Sequence, residues 1–600
     1  MYKGEDLWKK PEIQVVKKTL SNGKVITTYP DLPKNIYSSF RATAERHMEK
    51  VAVVDDEGRQ YSYKKMMEMT DDFSSWLIHE FGVTRRKHVA LMLYNSIEFC
   101  TTFLSLNRIG AVVVPLPTKF KMEEVHALVE KSDVEFIICD EKFEDYFEKY
   151  QQNLNICVVP DGKEKYGLET FTSTKDLSAI EEIEEKATDV DLALMLFTSG
   201  TTSMSKGVTI RNYNIMHAVE SYHKVLGITE EDKAIIPVPI YLVTGLVAVF
   251  GLMIHIGGTV CLNRFFDAKR VLEDINKYGI TFFHASPTVF TLILKERKHY
   301  PELPMLRMFA CGSCNMPPEK IKMLHEWLPK SEFRTIYGLT ETTSPGTVFP
   351  TDASSSPYIG SSGIPIPGSA YKIVDEEGNE VKDGEQGEIL VKGSNITENY
   401  YKSKRVALED EWLHTGDIGW FNTEGYLYIA DRKKDMINRG GEKICSYDVE
   451  NKLLEMNGVE DAAVVGIPDE LYGEVPAALI KLKKGTVIEE AEIKAFLKSQ
   501  MASYKVPQKI LFTENIPLTG HTPVQLCELP LRKTICQHFI FCDHLHHSWL
   551  KSPVAADNAF QHSVMRKMLN SSVPVTLTTG MYQRQLIWTS CFQKSFFNCF

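Results

Sequence analysis

An α/β fold of at least two domains is what this chain predicts, on three observations. Short β-rich apolar runs alternate with helix-length amphipathic segments from Val51 to Cys311, the pattern of βαβ units in parallel sheets covered by helices. At about Tyr371 the texture changes to YKIVDEEGNEVKDGEQGEILVKG, two strands around a Gly- and acid-rich turn, the mark of a small β subdomain. The length, 600 residues, exceeds what one hydrophobic core organises. The predicted architecture is a large N-terminal region of two parallel-rich sheets with helices plus a small β subdomain, then a small α+β C-terminal domain.

Taken in order, residues 1–50 read as a polar lead-in with a short helix near Ile36–His47. HVALML (88–93) is a strand before a helix at Ser96–Arg108, and AVVVPLP, a helix from Met122 and EFIICD (135–140) continue the alternation. The polar, acidic stretch Asp161–Asp189 reads as a surface excursion. Strand-like runs resume with ALMLF, AIIPVP (234–239), TVCL, TFFHAS (281–286) and MLRMFAC (305–311). The longest apolar stretch, Gly245–Leu262, contains His255, Gly257 and Gly258, so it reads as a buried helix followed by a strand and not as a membrane span. After Asp431 come a helix near Tyr447–Met456, strands DAAVVGI and PAALIKL, a helix at Glu489–Ser503 and a strand KILFTE. The expected domains are 1–431, 432–520 and an atypical tail, 521–600, with Arg432-Lys433-Lys434-Asp435 as the linker between the first two.

Apolar content of 43% and charged content of 24% are those of a globular protein, and a net charge of −11 argues against a dedicated nucleic-acid binder. MYKGEDLWKK has no apolar core of a secretion leader. Twelve irregularly spaced cysteines point to reduced thiols and a cytoplasmic setting.

The chemistry centres on FTSGTTSMSKGV (197–208). Thr198, Ser199, Thr201, Thr202 and Ser203 surround Gly200, and Lys206-Gly207 closes the stretch. Flexible backbone, hydroxyls and one ammonium suit a polyphosphate. The neighbours of Lys206 are Ser205 and Gly207, so this is not a Walker A loop. Alone, it would read as a solvated Ser/Thr/Gly linker. Downstream, YGLTETT (337–343) offers an aromatic ring, hydroxyls and Glu341 at a Gly turn. WLHTGDIGW (412–420) sets Asp417 in a Gly-flanked turn, where a carboxylate can accept both ribose hydroxyls. ADRKKDMI (430–437) carries Arg432, and GGEKI (440–444) a Gly pair with Lys443. Singly these read as an N-capped turn, an Asx turn, a solvated charge run and a hairpin turn.

Together and in this order the motifs resemble the adenylate-forming superfamily of acyl-CoA synthetases, luciferases and nonribosomal adenylation domains, over residues 30–520. The resemblance implies a two-sheet and β-barrel N-terminal region with a mobile C-terminal domain, and an AMP-forming ligase. Such an enzyme activates a carboxylate with ATP and Mg²⁺ through an acyl-adenylate and passes the acyl group to CoA. It implies that Thr198 to Lys206, including Ser199, Gly200, Thr201 and Thr202, hold the ATP phosphates. Gly312, Ser313 and Cys314 would line adenine, with Tyr337 stacked on it and Gly338 beside it. Thr340 would contact the α-phosphate, Glu341 bind Mg²⁺, and Asp417 with Arg432 hold the ribose. Lys434 would be the hinge, Lys443 lie near the phosphate, and Gly440 and Gly441 flank the pantetheine tunnel. The acid pocket would draw on Tyr241, Leu242, Val243, Thr244, Gly245, His284 and Gly338. Its apolar lining points to a fatty or other apolar acid. Acyl transfer to a carrier-protein thiol, and a catalytically defective nucleotide or acyl-adenylate binder, are the alternatives.

Three departures from the family pattern stand out. Ser203 and Ser205 replace the usual Gly and Pro of the phosphate loop. In PIYLVTGL (239–246), Leu242 replaces an aromatic or His, and no Asp is present to hold an α-amino group, which argues against an amino-acid substrate. NIPLTGHTPVQ stands where the family has P-x-T-x-x-G-K, placing Pro523 at the position of the adenylating Lys. From Leu526 onward five cysteines accompany only three acidic residues. His544, His546, His547 and Cys542 match no standard zinc spacing. The expectation is a reading frame lost near Gly520, a frame-shifted or disordered tail, and impaired adenylation.

Overall fold

The computed structural model describes residues 1–161, 166–171, 178–198, 205–313, 316–403, 407–433, 436–440, 442–469, 471–514 and 516. The tail from 521, and with it the expectation of disorder there, lies outside the described residues.

The two parallel-rich sheets are present. The first runs Gly207–Arg211, Leu192–Phe197, Val112–Pro115, His88–Met92, Phe136–Asp140, Asn155–Val159, parallel except for its first pair. The second is nine-stranded among the described residues. At its centre Glu332–Tyr337, Met308–Cys311, Phe282–Ala285, Lys233–Ile236, Thr259–Leu262 and Val51–Val54 lie parallel. These strands are buried on both faces, which is why they read as continuous apolar runs instead of alternating ones. The helix Ile97–Ile109 is buried at every residue. Its sequence, IEFCTTFLSLNRI, accordingly lacks a polar stripe, and its Gly110 C-cap adopts φ +73° to end it. One apolar core, running from Trp8 to Ala407, takes in residues of both sheets.

An antiparallel β subdomain follows, with Ser369–Val374, Gly387–Gly393, Trp412–Phe421 and Leu427–Arg432 in sequence across it. The lead-in is part of this subdomain: Tyr2–Lys3 pairs with Ser369–Val374, and Trp8 Nε1 donates to the Pro365 carbonyl at 2.8 Å. A separate sheet of Ile437–Arg439, Glu442–Ile444, Val459–Asp469, Gly473–Leu482 and Lys509–Phe512 makes the C-terminal unit. Its apolar face is covered by helices Ser446–Glu455 and Glu490–Gln500 through Val449, Leu453, Ile493 and Leu497.

Two expectations are corrected and one is refined. Asp161–Asp189 is not a surface excursion throughout. Leu168 is buried, Phe171 packs edge-on to Trp76 at 4.8 Å, and Gly167 N–H donates to the buried Glu98 at 2.8 Å. Helix Ser178–Lys186 buries Ile180, and its Glu184 pairs with Arg41 and with the buried Arg108. Glu184 is a partner for guanidinium groups, so at this position acidity misreads as exposure. The buried helix in Gly245–Leu262 opens as a π-helix, Thr244–Gly251, before one α-helical turn, Leu252–Ile256. Asp417 lies within a strand, not in a turn, beside a register shift at Ile418/Gly419.

Candidate active site

Antiparallel strands Leu192–Phe197 and Gly207–Arg211 carry the hydroxyl-rich loop at their open end, where Thr198 N–H donates to the Lys206 carbonyl at 3.1 Å. Ser199, Gly200, Thr201 and Thr202 lie outside the described residues. Lys206 extends over the ring of Tyr400, its Nζ 4.5 Å from the centroid, and the Tyr400 hydroxyl donates to Glu341 Oε1 at 3.0 Å. Thus the loop and YGLTETT, separate in sequence, meet through one tyrosine. Backbone contacts fix that tyrosine. Tyr401 N–H donates to the Gly207 carbonyl at 2.7 Å, Thr397 N–H to the Glu341 carbonyl at 2.8 Å, and Thr397 Oγ1 to the Thr209 carbonyl at 2.6 Å.

YGLTETT leaves the strand Glu332–Tyr337 through Gly338 into a single 3₁₀ turn, Thr340–Thr342. A Cβ on Gly338 would sit 1.6 Å from the Ser344 carbonyl oxygen, so no other residue fits this return. The turn leaves Thr340 and Glu341 part-exposed while Thr342 and Thr343 are buried beneath them.

Asp417 stands directly opposite Arg432 in the strand pair, with Arg432 Nε 3.5 Å from Oδ1. Tyr337 donates its hydroxyl to Oδ2 at 2.8 Å, and the Asp417 N–H donates to Thr415 Oγ1 at 3.1 Å. Burial raises the Asp417 carboxyl above the usual range; Arg432 and Tyr337 oppose that, and the nearby Glu341 charge adds to it. The ring of Tyr337 is 9% exposed and packs with Tyr371, Ile389 and Val391 in the β-subdomain core. Its hydroxyl end, more than a free ring face, is what it offers the site.

On the other side, Asn95 pins the loop before the π-helix. Its Nδ2 donates to the carbonyls of Val238 at 2.8 Å and Asn263 at 2.9 Å, while its Oδ1 accepts from Ile240 N–H at 2.7 Å. Tyr241 is buried, Leu242, Val243 and Thr244 are part-exposed, and a Cβ on Gly245 would meet Ile240 Cα at 2.8 Å. His284, at the end of Phe282–Ala285, is buried beside Gly312, where a Cβ would lie 3.3 Å from its Nε2. Ser313 follows with φ +72°; Cys314 lies outside the described residues.

The C-terminal unit docks through Asp431, whose Oδ2 accepts from the Ser446 N–H and hydroxyl, each at 2.9 Å, and through Cys445 Sγ to the Ala430 carbonyl. Lys443 is not brought to Glu341 or Asp417; its ammonium pairs with the exposed Glu376 in the β subdomain. Gly440, φ +59°, turns the hairpin between Ile437–Arg439 and Glu442–Ile444 and donates its N–H to the Tyr472 carbonyl at 2.8 Å. Lys434 and Gly441 lie outside the described residues. Motif spacing gave no signal for Tyr400 or Asn95, which only the fold brings to the motifs.

Residues 40–401 match the model of the AMP-binding enzyme family, and residues 448–522 that of the AMP-binding enzyme C-terminal domain. The chain belongs to this family of adenylate-forming enzymes, in its acyl-CoA ligase branch. It is 30% identical over 493 residues to an oxalate–CoA ligase of Arabidopsis thaliana, covering 80% of this chain and 93% of that protein. It superposes on the o-succinylbenzoate CoA synthetase of Bacillus subtilis bound to its acyl-adenylate with a TM-score of 0.69. That match is 26% identical and covers 84% of this chain and 98% of that one. The same synthetase bound to ATP and a magnesium ion gives 0.68, 26%, 80% and 96%.

Proposed function

We propose that this chain joins a carboxylic acid to CoA at the expense of ATP, with the site residues in the following roles. The acid's carboxylate oxygen attacks the α-phosphorus of ATP, forming an acyl–O–P bond as the bond to pyrophosphate breaks. The CoA thiol then loses its proton and attacks the acyl carbon, and AMP leaves. Displacement at phosphorus depends mainly on alignment and on neutralising charge. Lys206 and the loop from Thr198 would hold the phosphates, Thr340 the α-phosphate, and Asp417, oriented by Tyr337 and Arg432, the ribose. Gly312 and Ser313 would flank adenine.

Glu341 fits a Mg²⁺ site. Magnesium is commonly held by one or two carboxylates together with substrate phosphates, and among the described residues no cluster of three His, Cys, Asp or Glu offers a self-sufficient cage. When bound, the ion supplies charge neutralisation on the phosphates. The observation that carries the reading is the constellation formed by Lys206, Glu341, Tyr337, Asp417 and Arg432, drawn from four separate motifs, with Tyr400 between Lys206 and Glu341.

Leu242 and Val243 support a mainly apolar acid, fatty or otherwise. The junction at 431/432, with Lys434 as hinge, would let the C-terminal domain serve the two half-reactions in turn. In the present arrangement Lys443 is spent on Glu376. The C-terminal family match ends at 522, next to Pro523, and we propose that adenylation is slowed because Pro523 stands where the family resemblance places the adenylating lysine. Reading the gene in its other frames past codon 520 tests frame loss: a frame giving Gly-Lys and a short basic end supports it. Six described cysteines are free and buried, which supports a reducing, cytoplasmic setting. No described helix is long and apolar enough to cross a membrane. A panel of acids with ATP and CoA, repeated with a holo carrier protein, tests the acceptor. ATP binding without turnover on either arm would favour the defective-binder reading, for which the missing lysine is the specific observation.

A further inference from the structure

Tyr400 stands between two charged side chains that are distant in sequence, Lys206 and Glu341. The residue is 8% exposed, and its backbone is fixed on two sides. It forms an antiparallel bridge with Val208, and the next residue, Tyr401, donates its hydroxyl to Asp133 Oδ2 at 2.6 Å. Asp133 also pairs with Lys402, so the segment is tied down just beyond Tyr400. From that anchorage the side chain reaches both charges. Its ring carries the Lys206 ammonium, Nζ 4.5 Å from the centroid, and its hydroxyl donates to Glu341 Oε1 at 3.0 Å. A phenylalanine would fill the same space and keep the ring face, so the hydroxyl calls for a reason of its own. Glu341 is part-exposed, and water could satisfy it. What a fixed donor adds is orientation, because holding one carboxylate oxygen also fixes the other. Mg²⁺ demands near-ideal octahedral ligands, and carboxylates that hold metals are themselves commonly hydrogen-bonded. The ring acts in the same way on Lys206, since its face attracts the cation while the ammonium keeps N–H groups for a phosphate.

We propose that Tyr400 is a positioning residue for nucleotide loading: its hydroxyl orients Glu341 for Mg²⁺, and its ring holds Lys206 ready for the same phosphates. The inference rests on the reading of this site as a Mg²⁺–ATP site, and it adds the residue that couples the metal carboxylate to the phosphate loop.

The test is calorimetric titration of the full-length chain with ATP, once with Mg²⁺ and once with EDTA, in the absence of any acid. The quantity read is the gain in ATP affinity that Mg²⁺ brings, so no turnover is needed. Tyr400→Phe should lower that gain by about 10-fold while leaving the Mg²⁺-free affinity within about twofold of wild type. Combined with Glu341→Gln it should change nothing further, because the hydroxyl acts through that carboxylate. Tyr400→Leu, which removes the ring as well, should also weaken Mg²⁺-free binding by about two- to fivefold. A role in packing alone predicts that Tyr400→Phe matches the wild type, and that result overturns the proposal. So does an equal effect of Tyr400→Phe with Glu341 and with Glu341→Gln, or equal Mg²⁺-free affinities for Tyr400→Phe and Tyr400→Leu. A wild type that gains nothing from Mg²⁺ fails the nucleotide-site reading and this inference with it. A chain that shows the expected pattern but makes no thioester from any acid fails the ligase reading and keeps this one.

Discussion

Asp417 and Glu341 sit at neighbouring positions yet should fail differently when replaced. Asp417 is proposed to hold the ribose, a contact equally present before and during reaction, so Asp417→Ala should raise the KM for ATP about 10-fold or more with a smaller effect on kcat. An unchanged KM for ATP would remove the ribose assignment. Glu341→Gln keeps the acceptor for Tyr400 but loses a charged oxygen for the metal, so kcat should fall by about 10²-fold and the Mg²⁺ requirement rise; steady-state rates across a Mg²⁺ titration check this. Both residues were singled out in the sequence by motif order. Tyr400 was not, because a tyrosine 59 residues beyond Glu341 carries no local pattern, and only the fold sets it between Lys206 and Glu341. The buried histidines give a pH prediction. His217 bridges Thr28 Oγ1 at 2.8 Å and the Pro367 carbonyl at 3.0 Å, and burial lowers it to about 4; His284 falls to about 3. In the unfolded chain a histidine titrates near about 6.5, so between about 6.5 and 4 the unfolded state binds more protons and stability falls as pH falls. Above that window the contribution is complete. Denaturant midpoints against pH should show this loss, about 1.4 kcal/mol per pH unit for each histidine, with a shallower slope in His217→Gln. A slope identical in the variant would contradict it.

At the level of elements, the sequence was most informative where one periodicity ran uninterrupted. Parallel strands such as Val112–Pro115 and Phe136–Asp140 are buried throughout and read plainly as strands. It misled where tertiary partners overrode composition. Glu184 looks solvent-facing until Arg108 and Arg41 are placed beside it, and nothing local shows that Tyr2 extends a sheet edge formed near residue 371. The π-helical opening at Thr244–Gly251 was equally hidden, since an apolar run is the same in either helix. Close backbone approach at YGLTETT gives a prediction at this scale. Gly338→Ala forces a methyl into the Ser344 carbonyl, and relieving it must move Thr340 and Glu341. The cost should be about 1–3 kcal/mol or more, measured as a lowered denaturation midpoint followed by loss of ATP binding. A fully stable, fully active Gly338→Ala chain would show that the turn is not constrained as described.

For the molecule as a whole, two sheets and a β subdomain present the proposed nucleotide constellation, and a C-terminal unit joined at residues 431–436 contacts the β subdomain through Asp431 and Lys443. This plan was legible from the change of texture near Tyr371 and the basic linker, because each unit has its own periodicity and its own core. The acid's identity was not, because specificity depends on a few pocket side chains and not on motif order. The proposed loss of the adenylating lysine, with Pro523 at its position, would separate the two half-reactions. A cation fixed beside developing phosphate charge can be worth several kcal/mol, about 3–4 by analogy with lost oxyanion donors, so adenylation should be slow in this 600-residue chain. Thioester formation, which would use the other domain orientation, should survive its loss better. The most direct measurement is therefore single-turnover CoA acylation from a panel of synthetic acyl-adenylates, with products resolved by mass spectrometry. Acyl-CoA and AMP should form in equal amounts, much faster than acid-dependent ATP–pyrophosphate exchange by the same protein. Tight binding of every acyl-adenylate with no thioester formed would contradict it.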